Sequence, residues 1–455
     1  MADDLLNDTK TYPRMAHWFD PVLLLQLLNN VVLSSVFGQY ADRRLMIAAL
    51  DNVPPEEHAK RAEEFRTRLQ EDGQGGVWID WVADLGDGFD STYAMASLLA
   101  RAEVKVGDVS LPRGQALVMG GDEVYPKATK QAYFNQLRQP YAWAAPDPDR
   151  KDDEGRPLLA IPGNHDWYDG LVLFLALFCK EKPWHVGAWR SYQRRSYFAV
   201  RLTETWWLWA TDIQLADDMD GPQADYFKHI AAAMPENSRI ILCSAEPGWL
   251  YTDSNRKSWE IMEFGAGIAM NAGRGHTIPV LLSGDTHHYS RYVGKDDRQY
   301  VTSGGGGAFL HPTHHLEQDV SVSFVHHREG LKLGTMPDPD DPQKTSAAVY
   351  PSFATSRRLT WRNVFFAFKN WDFSLLMGGI YLLFAVLISL RDRPDVHLLI
   401  VAVFGASLIG YTVKQEVSRK FKIWGSAAVH AAALVVVLIL AARYAIALAR
   451  CSGST

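Results

Sequence analysis

Five short loops in this chain carry the residue types that hold metal ions and move protons. They read Ala83-Asp84-Leu85-Gly86-Asp87, Gly120-Gly121-Asp122-Glu123-Val124-Tyr125, Pro162-Gly163-Asn164-His165-Asp166, Ser244-Ala245-Glu246-Pro247 and Ser283-Gly284-Asp285-Thr286-His287-His288. Carboxylates, an amide and imidazoles arriving on successive loops are what a pair of hard or borderline cations needs. Glycines beside them permit the tight turns that let such side chains converge.

Each loop must be held by the element before it. Short apolar runs at residues 77–83, 116–119, 158–161, 240–243 and 279–282 precede the five loops and read as buried strands; residues 197–200 and 206–211 read as a further pair. Strands alternating with helical stretches predict a layered α/β fold, with ligands at the loops that leave the strand C-termini.

In order and spacing, these loops resemble the motifs of the calcineurin-like metallophosphoesterase superfamily: D-x-H or D-x-G, then G-D-x-x, G-N-H-[DE], a lone His before Pro, and G-H-x-H. The resemblance covers roughly residues 76–316, and Gly163-Asn164-His165-Asp166 is its most specific piece. It implies a four-layer α/β/β/α sandwich and two metal ions, with phosphate mono- or diester hydrolysis by attack of a metal-bridging hydroxide. It also implies residue roles. Asp84 and His287 bind the first metal, Asp122 bridges both, and Asn164 binds the second. His165 sits beside the scissile phosphate and stabilises or protonates the leaving oxygen. Asp166 hydrogen-bonds His165 and sets its orientation.

Three positions depart from the family pattern. Gly86 stands where many members have a metal-binding His. Purple acid phosphatases also have Gly there and recruit a Tyr from G-D-x-x-Y, which is Tyr125 in this chain; the other reading of Tyr125 is a packed, hydrogen-bonded tyrosine. Ala245 occupies the His-before-Pro position, with Glu246 adjacent as an oxygen donor if the loop shifts. Asp285 replaces the first His of G-H-x-H, where a carboxylate can substitute for imidazole. An oxygen-rich second site favours Mn²⁺ or Mg²⁺ over Zn²⁺, whereas a tyrosinate at the first site suggests Fe³⁺. His311, His314 and His315 fit no closed zinc spacing and read as a polar rim loop. His288 reads as a residue pointing away from the site.

The remainder of the chain bounds the context. Its 455 residues carry a formal net charge of −6, which offers nothing to a nucleic-acid backbone. The 3 cysteines are far apart and suggest a reducing compartment rather than a disulfide framework. Met1-Ala-Asp-Asp-Leu has no basic region leading into an apolar one, so no signal peptide is expected. The expected organisation is an N-terminal helical extension (residues 1–75), the phosphoesterase domain (76–329), a linker (330–356) and about three transmembrane helices within 357–455. The apolar stretches 373–390, 396–413 and 427–449 each approach the ~17–25 residues that cross a bilayer. Flanking basic residues, among them Arg357, Arg358, Lys414 and Lys420, orient the large domain toward the cytoplasm. Residues 22–37 predict a helix docked on the protein or lying in a membrane interface, and 54–71 a solvated surface helix. Residues 171–178 read either as a lid dipping toward lipid or as a core helix. Together with Trp184 and Trp189 they suggest a phospholipid or lipid-linked phosphate as substrate, with a soluble phosphodiester or nucleotide as the alternative. A function of another class, a metal-binding but inactive membrane sensor, is disfavoured because a pure sensor has no need of His165.

Overall fold

A computed structural model describes residues 13–37, 43–50, 53–146, 155–213, 218–252, 256–325, 327–338 and 344–389. These fall into two compact units, one built mainly on residues 26–360 and the other joining residues 18–25 to the chain beyond 360.

In the larger unit the strands are β1 (Ile79–Val82), β2 (Glu103–Val106), β3 (Val109–Pro112), β4 (Ala116–Met119), β5 (Arg156–Ala160), β6 (His185–Val186), β7 (Trp189–Ser191), β8 (Phe198–Arg201), β9 (Trp206–Ala210), β10 (Arg239–Cys243), β11 (Thr277–Ser283), β12 (Tyr289–Val293), β13 (Gln299–Ser303), β14 (Asp319–Phe324), β15 (His327–Leu333), β16 (Thr335–Pro337), β17 (Thr345–Ala347) and β18 (Val349–Tyr350). One sheet runs β1-β4-β5-β7-β6. A second runs β14-β15-β12-β13-β11-β10-β9-β8, with β18 added to β12. Strands β1, β4, β5 and β7 are parallel, as are β9, β10, β11 and β13. Parallel pairing brings the C-terminal ends of β1, β4 and β5 to one edge of the first sheet, and those of β10 and β11 to one edge of the second.

Alternation along the strands sets the layers. Val118, Leu159, Leu208 and Ala210 meet residues of β8 and β10 in an apolar layer between the sheets. Their neighbours Leu117, Met119 and Leu158 face Tyr133, Tyr141 and Phe174 from the helical segments on the other side. Trp207, Trp209 and Leu242 face Phe227 and Ile230 of helix Gly221–Ala233, and Trp259 and Met262 of helix Arg256–Met270. The mixed α/β architecture expected from the strand-and-loop pattern is present.

Several expectations are corrected. The stretch 330–356, expected as a linker, carries part of β15, then β16 and β17, which pair with each other, β18, which extends the second sheet, and the start of helix Phe353–Trp361. Helix Pro55–Glu64 and the turn after it are not simply solvated, because Ala62, Phe65 and Leu69 are buried. The run 171–178 is a core helix rather than a lid: Leu171, Phe174 and Phe178 are buried in the layer behind β4 and β5. Trp189 is likewise buried, so it is no interface aromatic.

Asp20 caps helix Pro21–Phe37, its Oδ1 accepting from the amides of Val22 (2.7 Å) and Leu23 (3.0 Å). Val22, Leu25, Leu28, Val31 and Val32 of this helix are exposed among the described residues. In the smaller unit Phe19, Phe366 and Phe373 form an edge-to-face cluster. The first expected span, residues 373–390, coincides with helix Trp371–Ser389, whose side chains are described as far as Ile380. The spans 396–413 and 427–449 lie outside the described residues. Among the described residues no helix is long and apolar enough to cross a membrane.

Within the larger unit, helix Arg43–Leu50 is tied to the loop after β9 by charge. Arg44 of helix Arg43–Leu50 is buried, its Nε 3.2 Å from Asp220 Oδ2 and its Nη1 donating to the Asp212 carbonyl at 2.9 Å. Its guanidinium lies 5.1 Å from the ring centroid of Trp167, whose Nε1 donates to Asp212 Oδ1 at 3.0 Å. Trp167 ends the short helix that begins at Asn164, so this network backs the third chemical loop. Replacing Arg44 with Met takes the guanidinium from two buried carboxylates and is expected to cost about 3–5 kcal/mol in urea unfolding. A loss under about 1 kcal/mol, the range of exposed pairs, would show that the network does not hold the helix.

Candidate metal centre

The sequence of each strand end dictates a sharp departure from the sheet. Asp84 (φ 60°), Asp122 (φ 55°), Asp285 (φ 67°) and His287 (φ 44°) all adopt the left-handed region, uncommon for residues other than Gly though Asn, Asp and His enter it more readily than the rest. Such strain persists only where the surroundings impose it, and it clusters at functional sites. Backbone bonds impose it here. The Asp84 amide donates to the Gly121 carbonyl (3.0 Å), that of Leu85 to Asp122 (2.9 Å), and those of Gly306 and Ala308 to Ala83 (2.8 Å) and Asp84 (3.0 Å). The run Gly304-Gly305-Gly306-Gly307 thus braces the first loop.

Four side chains meet at one point. The Tyr125 hydroxyl lies 3.1 Å from Asp84 Oδ1, 3.0 Å from Asp122 Oδ2 and 2.8 Å from His287 Nε2. One ligand atom from each of Asp84, Asp122 and His287 falls within 4.8 Å of the others. His287 Nδ1 donates to the Phe309 carbonyl at 2.8 Å, which leaves the Nε2 lone pair facing the cluster. Beside this point a cleft is lined by Asp84, Asp122, Asn164, Glu246 and Asp285 together with Gly121 and Ala245. Asp285 Oδ2 accepts from the Tyr251 hydroxyl (2.8 Å) and Asn164 Nδ2 donates to that of Tyr168 (3.0 Å).

The electrostatics suit a group that either keeps its protons or holds a cation. Burial, then Asp122 and Asp285, hold the Asp84 carboxyl well above the usual carboxylate range. Burial, then Asp166, raise Asp122 to about 8. Burial, then Asp122 and Asp84, push the Tyr125 phenol well above its ordinary value. Burial lowers His287 to about 3, with His311 contributing next, so its imidazole is neutral and able to ligate. Asp84 Oδ2 is buried with no hydrogen-bond partner among the described residues. A Cβ at Gly304 would stand 2.1 Å from that same oxygen, and one at Gly163 would stand 2.1 Å from Asp122 Oδ1. The chain therefore keeps space where the carboxylates need it. Two carboxylates, a phenol and an imidazole fit a hard or borderline ion. Asp122, Asn164, Asp285 and Glu246 form an adjoining, all-oxygen set.

The expected site residues thus lie together, with one revised interaction. His165 Nδ1 donates to the Pro126 carbonyl at 2.8 Å, not to Asp166. The Asp166 carboxylate folds back on its own loop: Oδ2 accepts from the amides of Gly163 (3.0 Å) and Glu123 (3.3 Å), and Oδ1 from the Tyr133 hydroxyl (2.5 Å). At the third position of the short helix starting at Asn164, Asp166 has the free amides at that N-terminus within closer reach than a neighbouring imidazole. Asp166 thus fixes the loop that presents His165, and Asp122 Oδ1 accepts from the His165 amide at 2.9 Å. Burial lowers His165 itself to about 4.

Sequence reasoning missed two residues around this loop. Glu123, next to Asp122, is fully buried; both its oxygens lack a hydrogen-bond partner among the described residues, and burial, then Asp166, hold its carboxyl well above the usual range. Tyr133 had no motif to mark it. The histidine loop divides. His311 stacks on His287 with centroids 4.6 Å apart, while His314 Nδ1 pairs with Ser356 Oγ (2.8 Å). His288 is buried and its Nε2 lies 3.5 Å from Thr286 Oγ1, away from the cluster. Compared with protein-family models and with curated proteins, the chain matches none of them.

The raised Asp122 gives a signed prediction. In metal-free protein the folded chain keeps a proton up to about 8 that the unfolded chain releases near 3.8. Stability therefore falls as pH rises through that window. Melting of EDTA-treated protein should drop as pH goes from about 5 to about 8, Asp122→Asn should flatten the decline, and Mn²⁺ should reverse it in the parent chain only. A melting temperature that climbs over this range without metal would contradict the reading. Gly304→Ala, which crowds Asp84 Oδ2, should reduce the Mn²⁺-induced rise while leaving the strands folded by circular dichroism.

Proposed function

We propose that the protein is a dinuclear-metal phosphoesterase of the calcineurin-like kind, acting on a phosphate mono- or diester. The observation that carries this reading is the meeting of Asp84, Asp122, Tyr125 and His287 at one point, with an all-oxygen set beside it and His165 on the neighbouring loop. The helix, sheet, sheet, helix order of the packing layers is the order such a four-layer sandwich requires, and it supports the same reading.

Metal ions held there would neutralise the oxygens of the ester and make water nucleophilic near neutral pH. The chain supplies the remaining requirements. Asp122 stands between the two ligand sets and would serve both. His165, oriented through Nδ1 on the Pro126 carbonyl, would act on the leaving oxygen. In the free protein this imidazole is neutral, and an anionic ester beside it favours the protonated form that can donate. Asp166 acts on geometry, by fixing the loop.

The metal pair is narrowed by Tyr125. A phenol this buried ionises only against a strongly acidic cation, so the first set suits Fe³⁺ and the second, rich in oxygen, suits Mn²⁺ or Mg²⁺. Iron-loaded protein should then show a visible phenolate-to-iron charge-transfer band that Tyr125→Phe removes; a band surviving that change would take Tyr125 out of the ligand set.

The apolar stretches in residues 373–449 support attachment to a membrane, with the larger unit on the cytoplasmic side, and make a phospholipid or lipid-linked phosphate the leading substrate class. Faster turnover of liposome-presented than of soluble esters is the expected result; equal rates would remove the lipid assignment. With a generic aryl phosphodiester, Asp122→Asn and His165→Ala should each lower kcat by roughly 10²-fold or more, while only Asp122→Asn loses metal. Equal metal loss in both would overturn the division of roles.

A further inference from the structure

One bond at the rim of the metal cleft belongs to no motif: the Tyr251 hydroxyl donates to Asp285 Oδ2 at 2.8 Å. It joins two of the positions that depart from the phosphoesterase pattern. Asp285 stands where that pattern has a histidine. Tyr251 comes from the loop after β10, in which Ala245 replaces another. The two loops leave β10 and β11 side by side, the Ser244 amide donating to the Leu282 carbonyl at 3.1 Å and the Gly284 amide to the Ala245 carbonyl at 3.0 Å. Ala245 and Asp285 both line the cleft, and the alanine side chain brings no donor atom to it. The loop that carries it contributes a phenol a few residues later.

The fold places both partners firmly. Past Pro247 the chain makes one helical turn, Gly248–Leu250. Trp249 of that turn is fully buried, its ring centroid 5.5 Å from that of Tyr300 on β13. A Cβ at Gly248 would stand 2.8 Å from the Trp259 amide nitrogen, so glycine is what lets the turn lie this close to helix Arg256–Met270. The Tyr251 amide closes the turn on the Gly248 carbonyl at 3.1 Å. Asp285 is held by its own backbone, in the left-handed region with its amide donating to Asp84 Oδ1 at 3.2 Å. The phenol therefore meets the carboxylate with both main chains already anchored.

We infer that Tyr251 is a positioning residue of the second metal site, holding Asp285 as a ligand through one oxygen. A carboxylate binds a cation through one oxygen or through both, whereas an imidazole offers one nitrogen. A phenol proton on Oδ2 favours ligation through Oδ1 alone, so that Asp285 acts as the single-atom donor an imidazole would be. Asn164, in the same ligand set, is oriented in the same manner: its Nδ2 donates to the Tyr168 hydroxyl at 3.0 Å, which directs its amide oxygen elsewhere. Hydrogen bonds made to metal ligands from outside the site fix their direction, and losing one typically costs roughly 10–100-fold in metal affinity. The inference rests on the two-metal reading above and gives Tyr251 no contact with substrate.

Titration of the full chain with Mn²⁺, read by electron paramagnetic resonance of the free ion, tests it without recourse to hydrolysis. The parent chain is expected to bind two ions. Tyr251→Phe should weaken one of them at least roughly tenfold and leave the other as it was. In an Asp285→Ala background the same substitution should leave the remaining binding within about twofold, because the carboxylate it acts through is gone. Two ions held by Tyr251→Phe as tightly as by the parent chain overturn the proposal and leave the two-metal reading standing. Weakening of both ions, or weakening that persists in Asp285→Ala, assigns Tyr251 to the fold at large and overturns it as well. A parent chain that binds fewer than two ions overturns the two-metal reading and the proposal together.

Discussion

Everything around the candidate metal centre depends on one unfavourable arrangement: the buried carboxylates of Asp84 and Asp122 brought together at one point, with those of Asp285 and Glu246 beside them. Asp84 and Asp122 share the Tyr125 hydroxyl, Asp285 donates its amide to Asp84 at 3.2 Å, and Glu246 lines the same cleft. Leaving charge in a low-dielectric site costs more than a fold of ordinary stability can spare, so such groups either stay protonated or hold metal. The sheets, the left-handed strand ends and the glycine run that braces them are the means by which the fold sustains that arrangement.

Much of this was legible in the sequence, because strand ends announce themselves chemically. An apolar run stopping at Gly-Asp or Gly-Asn-His states both where the strand ends and which groups emerge, and all five loops lie at the strand ends expected. Tyr125 could be flagged from its spacing after Asp122, but its two readings differ only in where the hydroxyl points. In the fold it points at Asp84, Asp122 and His287, an outcome set by long-range packing that no local pattern encodes.

What could not be read was set by contacts between distant segments or by competition among nearby partners. Asp166 had two plausible acceptor duties, and the amides at the helix start took it from His165. Pro and Gly content between residues 330 and 351 suggested a linker, yet short edge strands tolerate those residues and this stretch extends the second sheet. No local pattern marked Glu123 beside Asp122. Its burial beside Asp166 and Tyr133 follows from the layer behind β4 and β5.

The central claim is that one carboxylate, Asp122, joins two metal sites. Metal content of the purified chain after Mn²⁺ and iron loading, measured by mass spectrometry of the elements beside Asp122→Asn and Asp285→Asn, tests it most directly. Two ions per chain are expected, with Asp122→Asn weakening both and Asp285→Asn weakening one. A single ion in the parent chain, or the same loss from both substitutions, would contradict the account.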